Sequence, residues 1–413
     1  MNFEILRKLY QRIEEKHKNN DTIELIIRAS FPHKKILIEK LKRFSRIKYE
    51  SEFLPYFSLE IKTDIAYKIT NFVYKNLNDE LFKNLEDDLS YIESIEPSNK
   101  VVIPKPKHPP RVKSGYNTLW NLKAIGFYNL RDFDSDVKIG IIDTGIDYYH
   151  KELSANFLES KGYDFVEENN QPLDKNGHGT HVAGTICSKN CGIARKTTIY
   201  ALRVLDENGS GTEVNVMRAI EWGLKHKIDV LNMSLGSEDA SSAFEELCNY
   251  AFNSGMYLVA AAGNSYFGYN FPAAFDCVIS VAAINEEKKH AYFSNISDKN
   301  DISAPGTNIL STFPNNQYAI MDGTSMACPH VSASIGIAIS KMRNHNKSKD
   351  AESIMKNCAE KLYNNTHYDY ESVFGAGLLR IDSMIEKIVQ ENLAFEIKDY
   401  FNDYFRDFYE QKG

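Results

Sequence analysis

The sequence predicts an α/β protein: a doubly wound, mostly parallel sheet with helices on both faces, preceded by a small α+β unit. Three observations lead there. From about residue 118 to 390, short runs rich in Val, Ile and Leu alternate with helix-like segments. The runs are apolar at successive positions, which marks strands buried on both faces. Before residue 100 the pattern is different, and a stretch with four prolines separates the two parts.

The small unit comes first. TIELIIRA has strand character and KKILIEKLKRF has helical spacing. IKYESEF and YFSLEIK read as strands, IAYKITNFVYKNL and the acidic stretch after it as helices, and LSYIESIE as a last strand. VVIPKPKHPPRVKSG follows; prolines lack an N–H and fix φ, so the run is expected to be an extended linker. The large unit then offers VKIGIID, TIYALRVL, IDVLNMS, MYLVAAAG and CVISVAAI as strands. EVNVMRAIEWGLKH and SSAFEELCNYAFNSG lie between some of them as helices. Strand, helix, strand in series implies right-handed crossovers. The expected organisation is a small domain over 1–100, a linker over 101–117, a large domain over 118–390 and an amphipathic helix over 391–413.

Composition narrows the class. The chain has 413 residues, 43% hydrophobic and 25% charged, enough for a large domain and a smaller one. A net charge of −7 gives no hint of nucleic acid. No run of eighteen apolar residues exists, so no transmembrane segment is expected. The N-terminus, MNFEILRKLYQRIEEKHKNN, lacks the apolar core of a secretion signal. A cytoplasmic protein with reduced cysteines is expected, an extracellular one being the alternative. Residues 1–111 carry 21 Lys+Arg and 17 Asp+Glu; the rest carry 28 and 39. Net charges of +4 and −11 follow, and opposite signs favour docking of the two units.

Three segments place chemistry at strand ends or helix starts. KIGIIDTGID puts Asp143 after an apolar run, NGHGTHVAGTI puts His178 between glycines, and GTSMACPH puts Ser325 after a glycine turn. Strand carboxyl ends and helix N-termini share one rim of an open parallel sheet. A histidine can take the serine proton and pass it to the leaving amine, while a buried aspartate fixes the imidazole tautomer.

DTGID, HGTHVAGT and GTSMACPH, in that order, resemble the three signatures of subtilisin-like serine proteases, the subtilases. The resemblance covers roughly residues 112 to 390. It implies a subtilisin-like fold, a serine endopeptidase and an acyl-enzyme mechanism. A fourth segment, LVAAAGNS, resembles the family's oxyanion site, with Asn264 giving its side-chain amide beside the Ser325 N–H. NGSGT (Gly209, Ser210, Gly211) and MSLGS (Ser234, Leu235, Gly236) resemble the strands that pair with an extended substrate. Ala261, Ala262 and Gly263 would form one wall of the pocket beside the scissile bond, where small residues leave room for a large side chain. No acid stands in SYFGYNFPAAF, which argues against a strict Lys or Arg preference.

Blander readings attach to neighbouring residues. His181, His150 and His330 are read as structural, and Cys328 as a small buried residue rather than a second nucleophile. Many subtilases bind calcium after the catalytic histidine. Here TICSKNCGIARKTTIY is short and basic, and beyond Glu152 the six to eight oxygens are not found. No cofactor is expected, and the usual strong calcium site is expected to be absent. Peptide or protein substrates are the expected partners. The N-terminal unit resembles, by position and pattern, a propeptide that chaperones, inhibits and is removed by self-cleavage. Two rivals stand beside this: a zymogen unlocked by another protease, and a non-catalytic binding protein on the same fold.

Overall fold

A computed structural model describes residues 3–18, 21–75, 85–103, 111–113, 119–127, 136–343, 350–364 and 366–391. The amphipathic helix expected over 391–413 lies, beyond its first residue, outside them.

The large sheet has seven strands, in the order Ile302–Pro305, Ile279–Ile284, Tyr257–Ala261, Val230–Met233, Lys138–Asp143, Thr198–Arg203 and Gly162–Asp164. All of their pairings are parallel. All five strands expected from apolar runs form, and two edge strands join them. Alternate residues of each central strand face opposite layers. Ile139, Ile141, Val230 and Val259 pack with helices His178–Cys187 and Thr324–Arg343. Ile142, Leu231, Met233 and Leu258 pack with helices Glu213–Lys225 and Ser242–Asn253. This two-sided cover explains the unbroken apolar runs.

Strand order reverses beside Lys138–Asp143. From there the chain adds Gly162–Asp164 and Thr198–Arg203 on one side, then crosses to Val230–Met233 on the other. Such a switch point opens a crevice at the carboxyl edge. Asp143 ends one of the two flanking strands, and Ser234 follows the other.

The N-terminal unit is a four-stranded antiparallel sheet, ordered Ser45–Glu50, Tyr56–Lys62, Thr22–Ala29 and Ile92–Pro97. Helices Phe3–His17, Phe31–Leu41 and Thr63–Lys75 cover one face around Leu25, Ile27, Leu37, Phe57, Leu59 and Ile69. Helix Phe3–His17 was not anticipated from the sequence. The other face presents Ile26, Tyr49, Leu54 and Tyr56 to the large domain, in one cluster with Val216, Ile220, Phe244 and Leu247.

Polar contacts at this interface gather on helix starts. Glu96 accepts the Ser242 N–H at 2.9 Å, and its other oxygen accepts the Ser242 hydroxyl, at the head of Ser242–Asn253. Glu213, at the head of its own helix, accepts the Ser241 N–H at 3.0 Å and the Asn99 N–H at 3.2 Å. Lys8–Asp239 and Arg28–Glu246 pair with the signs that net charge suggested, at 2.6 and 2.7 Å, but Glu52–Lys225 runs the other way. All are partly solvated, and such pairs contribute at most about 1 kcal/mol each. Apolar burial therefore does most of the docking.

Glu213 is wholly buried, and loss of water pushes its carboxyl up to about 7 against the pull of its hydrogen bonds. A raised carboxyl stabilises the docked fold fully below its unfolded value, and that contribution is lost as pH rises through the folded value. The Ser325→Ala chain is therefore expected to lose stability between about pH 4.5 and 7, by up to about 3 kcal/mol. Melting temperature against pH checks this, and Glu213→Gln should flatten the slope.

The proline-rich stretch is not wholly a linker. Lys100–Val102 and Arg111–Lys113 are strands; the first pairs with Ser210–Thr212 and the second with Gln317–Met321.

Candidate active site

Asp143 and His178 meet at the switch point. His178 Nδ1 lies 2.8 and 2.9 Å from the two Asp143 carboxylate oxygens. Asp143 is fully buried and His178 is 3% exposed. The Thr144 N–H donates to Asp143 Oδ1 at 2.7 Å and holds the carboxylate in place. Helix His178–Cys187 can come this close only because Gly179 has no side chain: a Cβ there would stand 2.1 Å from the Gly145 carbonyl.

The helix start depends on Asp174, which the sequence reading missed. Gly177, the N-cap, has no side chain to cap with. Asp174 Oδ1 instead accepts the Asn176 and Gly177 N–H groups at 2.9 and 2.8 Å, and Oδ2 accepts the Thr180 N–H at 2.9 Å. The Thr144 hydroxyl donates to Asp174 at 2.9 Å and accepts the Gly179 N–H at 3.0 Å, tying the Asp143 loop to the His178 helix. Burial raises the Asp174 carboxyl. An aspartate three residues before a glycine at a helix start was the available signal.

Ser325 is the second residue of helix Thr324–Arg343, where main-chain N–H groups have no partner within the helix. Pro329 lies four residues on and has no N–H for the Ser325 carbonyl. Ser234 Oγ donates to that carbonyl instead, at 2.9 Å. In return Ser325 Oγ donates to the Ser234 carbonyl at 3.1 Å. Asn232 Nδ2 donates to Ser234 Oγ at 3.0 Å from below. In this state Ser325 does not hydrogen-bond His178, whose buried Nε2 has no partner among the described residues. A rotation of Oγ away from Ser234 is needed for the two to engage. Looser contacts of this kind are usual before substrate binds.

Asn264 follows Gly263 at the same rim. Its Oδ1 accepts the Thr324 N–H at 3.0 Å and the Thr324 hydroxyl at 2.9 Å. The Thr324 hydroxyl also accepts the Gly263 N–H at 3.1 Å. These bonds identify Oδ1 as the acceptor end of the amide and orient Nδ2 as its donor end. Nδ2 would lie 3.3 Å from a Cβ on Gly323, the turn glycine before the nucleophile helix.

His181, His330 and His150 hold main-chain groups in place. His181 Nε2 bonds the Ile309 and Ala319 carbonyls at 3.0 and 3.1 Å, and burial takes it down to about 3. His330, held by Met326 O at 2.8 Å and Asn121 Nδ2 at 2.9 Å, is lowered to about 4 by burial. His150 bonds the Gln317 carbonyl at 3.1 Å. Burial pushes the Cys328 thiol up to about 12, so it supplies no thiolate. The carboxylate of Glu152 accepts the Asn190 N–H at 3.2 Å and the Tyr318 hydroxyl.

Of the residues expected to bind substrate, Gly209, Ser210, Gly211 and Gly236 hold a strand from the chain itself. Val102, Val101 and Lys100 pair antiparallel with Ser210, Gly211 and Thr212. On its other side Val102 exchanges both main-chain bonds with Gly236, each 2.9 Å. The Ile103 N–H donates to the Gly209 carbonyl at 3.0 Å. Ala261 ends the neighbouring strand, Ala262 and Gly263 follow it, and the side chain of Asn270 reaches them: its Nδ2 donates to Ala261 O at 2.7 Å.

Residues 134–377 match the model of the subtilase family. The chain belongs to the subtilase family. This subtilase is 36% identical to subtilisin DY of Bacillus licheniformis over 259 residues, 60% of the chain and 90% of that protein. It is 31% identical to subtilisin NAT of Bacillus subtilis subsp. natto over 335 residues, 78% of the chain and 82% of that protein. A thermostable alkaline protease of Halalkalibacterium halodurans is 36% identical over 258 residues, 61% of the chain and 68% of that protein. The subtilase is thus a serine endopeptidase, and its N-terminal unit lies upstream of the matched region.

Proposed function

We propose that this endopeptidase works through Ser325 as nucleophile, His178 as base and then acid, and Asp143 as the group that orients His178. Asn264 Nδ2 and the Ser325 N–H stabilise the oxyanion, and water releases the acyl-enzyme. The observation that carries this is the buried Asp143–His178 contact at 2.8 Å, on the rim where helix Thr324–Arg343 presents Ser325. Asn264→Ala is expected to lower kcat by about 10² to 10³, the loss known for the corresponding donor in a subtilisin, with KM little changed. Steady-state kinetics on one peptide checks it.

The chain is made as a zymogen with residues 1–100 as intramolecular inhibitor. Support comes from Lys100–Val102, which sits between the two substrate-binding segments as a peptide would. Self-processing within 101–117 is the first reading. The second, a latent form unlocked by another protease, is favoured by Ser325 being turned to Ser234 rather than His178. Pro104 and Pro106, next in the sequence, also resist attack. Incubating wild type beside Ser325→Ala separates the two. Self-processing yields a shorter band from wild type alone. Latency leaves both intact until an added protease unlocks wild type. A wild type that hydrolyses nothing after either treatment refutes both. Six unpaired thiols suit a reducing compartment, and we place the chain in the cytoplasm on that basis.

A further inference from the structure

Two segments leave adjacent parallel strands, where Met233 pairs with Ala260, and run on past the sheet edge as Ser234–Gly236 and Ala261–Gly263. Ser234 is bonded to Ser325, and Gly263 is followed by Asn264. The crevice between the segments therefore opens at the reacting carbonyl. A peptide bonded to Gly236, as Val102 is, would send the side chain next to the scissile bond into it.

Asn270 enters this crevice from its far end. Its Nδ2 donates to the Ala261 carbonyl on one wall at 2.7 Å and to the Leu235 carbonyl on the other at 3.4 Å. A Cβ on Gly236 would lie 2.1 Å from Asn270 Oδ1, and one on Gly263 would lie 3.0 Å from Asn270 Cβ. The amide thus touches the backbone of both walls. Its own backbone is pinned as well. Phe271 exchanges main-chain bonds of 2.8 and 2.9 Å with Ser237, and Asn270 O accepts the Ala274 N–H at 3.0 Å. Moving Asn270 aside would leave the Ala261 carbonyl without this donor, a loss that buried polar groups resist.

We propose that Asn270 closes the base of this pocket and makes the enzyme prefer a small uncharged residue, such as alanine, on the acyl side of the scissile bond. The inference rests on the endopeptidase reading above. An aromatic ring would have to occupy the volume the amide fills, and overfilled sites reject their guests. Asn270 is a specificity-determining residue and takes no part in proton transfer.

The test compares kcat/KM for peptides that differ only in Ala or Phe at that position. The wild type is expected to favour Ala by about tenfold or more, and Asn270→Gly to raise the Phe-to-Ala ratio by at least about tenfold. A ratio does not depend on how much of a variant folds. Asn270→Leu keeps the base filled and is expected to go on rejecting Phe. A wild type that favours Phe, or an unchanged ratio in Asn270→Gly, overturns the proposal while hydrolysis itself stands. Absence of hydrolysis of every peptide, after removal of the N-terminal unit, would instead overturn the endopeptidase reading on which it rests.

Discussion

Ser325→Ala is expected to lower kcat by about a millionfold, the loss known for the nucleophile of a subtilisin. The physical reason is local. Only Oγ can form the ester bond of the acyl-enzyme, and the methyl group that replaces it has neither lone pair nor proton. The fold should tolerate the change. Among the described residues Ser325 Oγ makes a single hydrogen bond, to the Ser234 carbonyl at 3.1 Å, while the reverse bond, Ser234 Oγ to the Ser325 carbonyl, remains. Substrate affinity should hardly move, since the Gly209–Gly211 and Gly236 main chain is untouched. The variant is thus inactive but able to bind. Progress curves with one peptide at high enzyme concentration, together with a melting curve, check both parts.

Asp143→Asn is expected to cost roughly ten-thousandfold in kcat with little change in KM. Both Asp143 oxygens lie within 2.9 Å of His178 Nδ1, so the carboxylate accepts the Nδ1–H and leaves Nε2 as the basic nitrogen. An amide of the same shape can turn its NH2 towards Nδ1. Nε2 then carries the proton and cannot take one from Ser325. The imidazolium formed in the transition state also loses its buried counter-charge, in a site that is almost closed to water. A merely structural role for Asp143 would predict a lower melting temperature and a higher KM. Neither is expected here, so kcat, KM and melting temperature measured together decide the point.

The large sheet was legible because its strands are covered on both faces. VKIGIID and MYLVAAAG carry no polar alternation, and the fold explains why. The edge strands Gly162–Asp164 and Ile302–Pro305 were not, because three or four residues carry too little pattern. In helix Phe3–His17 the many charges hide the apolar stripe, although Leu9 and Ile13, four apart, are buried in the core of the N-terminal unit. In the site, Asp143, His178, Ser325 and Asn264 stand in short motifs beside glycines, which sequence displays well. Asp174 offers one local signal, its place three residues before Gly177; Asn270 acts through hydrogen bonds made across the fold, and no local spacing announces it. Asn270 changes the substrate reading most. The small residues at 261–263 suggest an open pocket, but the side chain of Asn270, seven residues beyond Gly263, returns to bond the Ala261 carbonyl.

The central claim is that Ser325 is the nucleophile of a serine endopeptidase. An organophosphonate that reacts with activated serines tests it most directly. Wild-type enzyme that hydrolyses peptides is titrated with the reagent, residual activity is followed, and the adduct is mapped by mass spectrometry. Activity is expected to fall in step with a single adduct on Ser325. Activity that persists with Ser325 fully labelled, or that is lost with Ser325 unlabelled and the adduct elsewhere, would contradict the account.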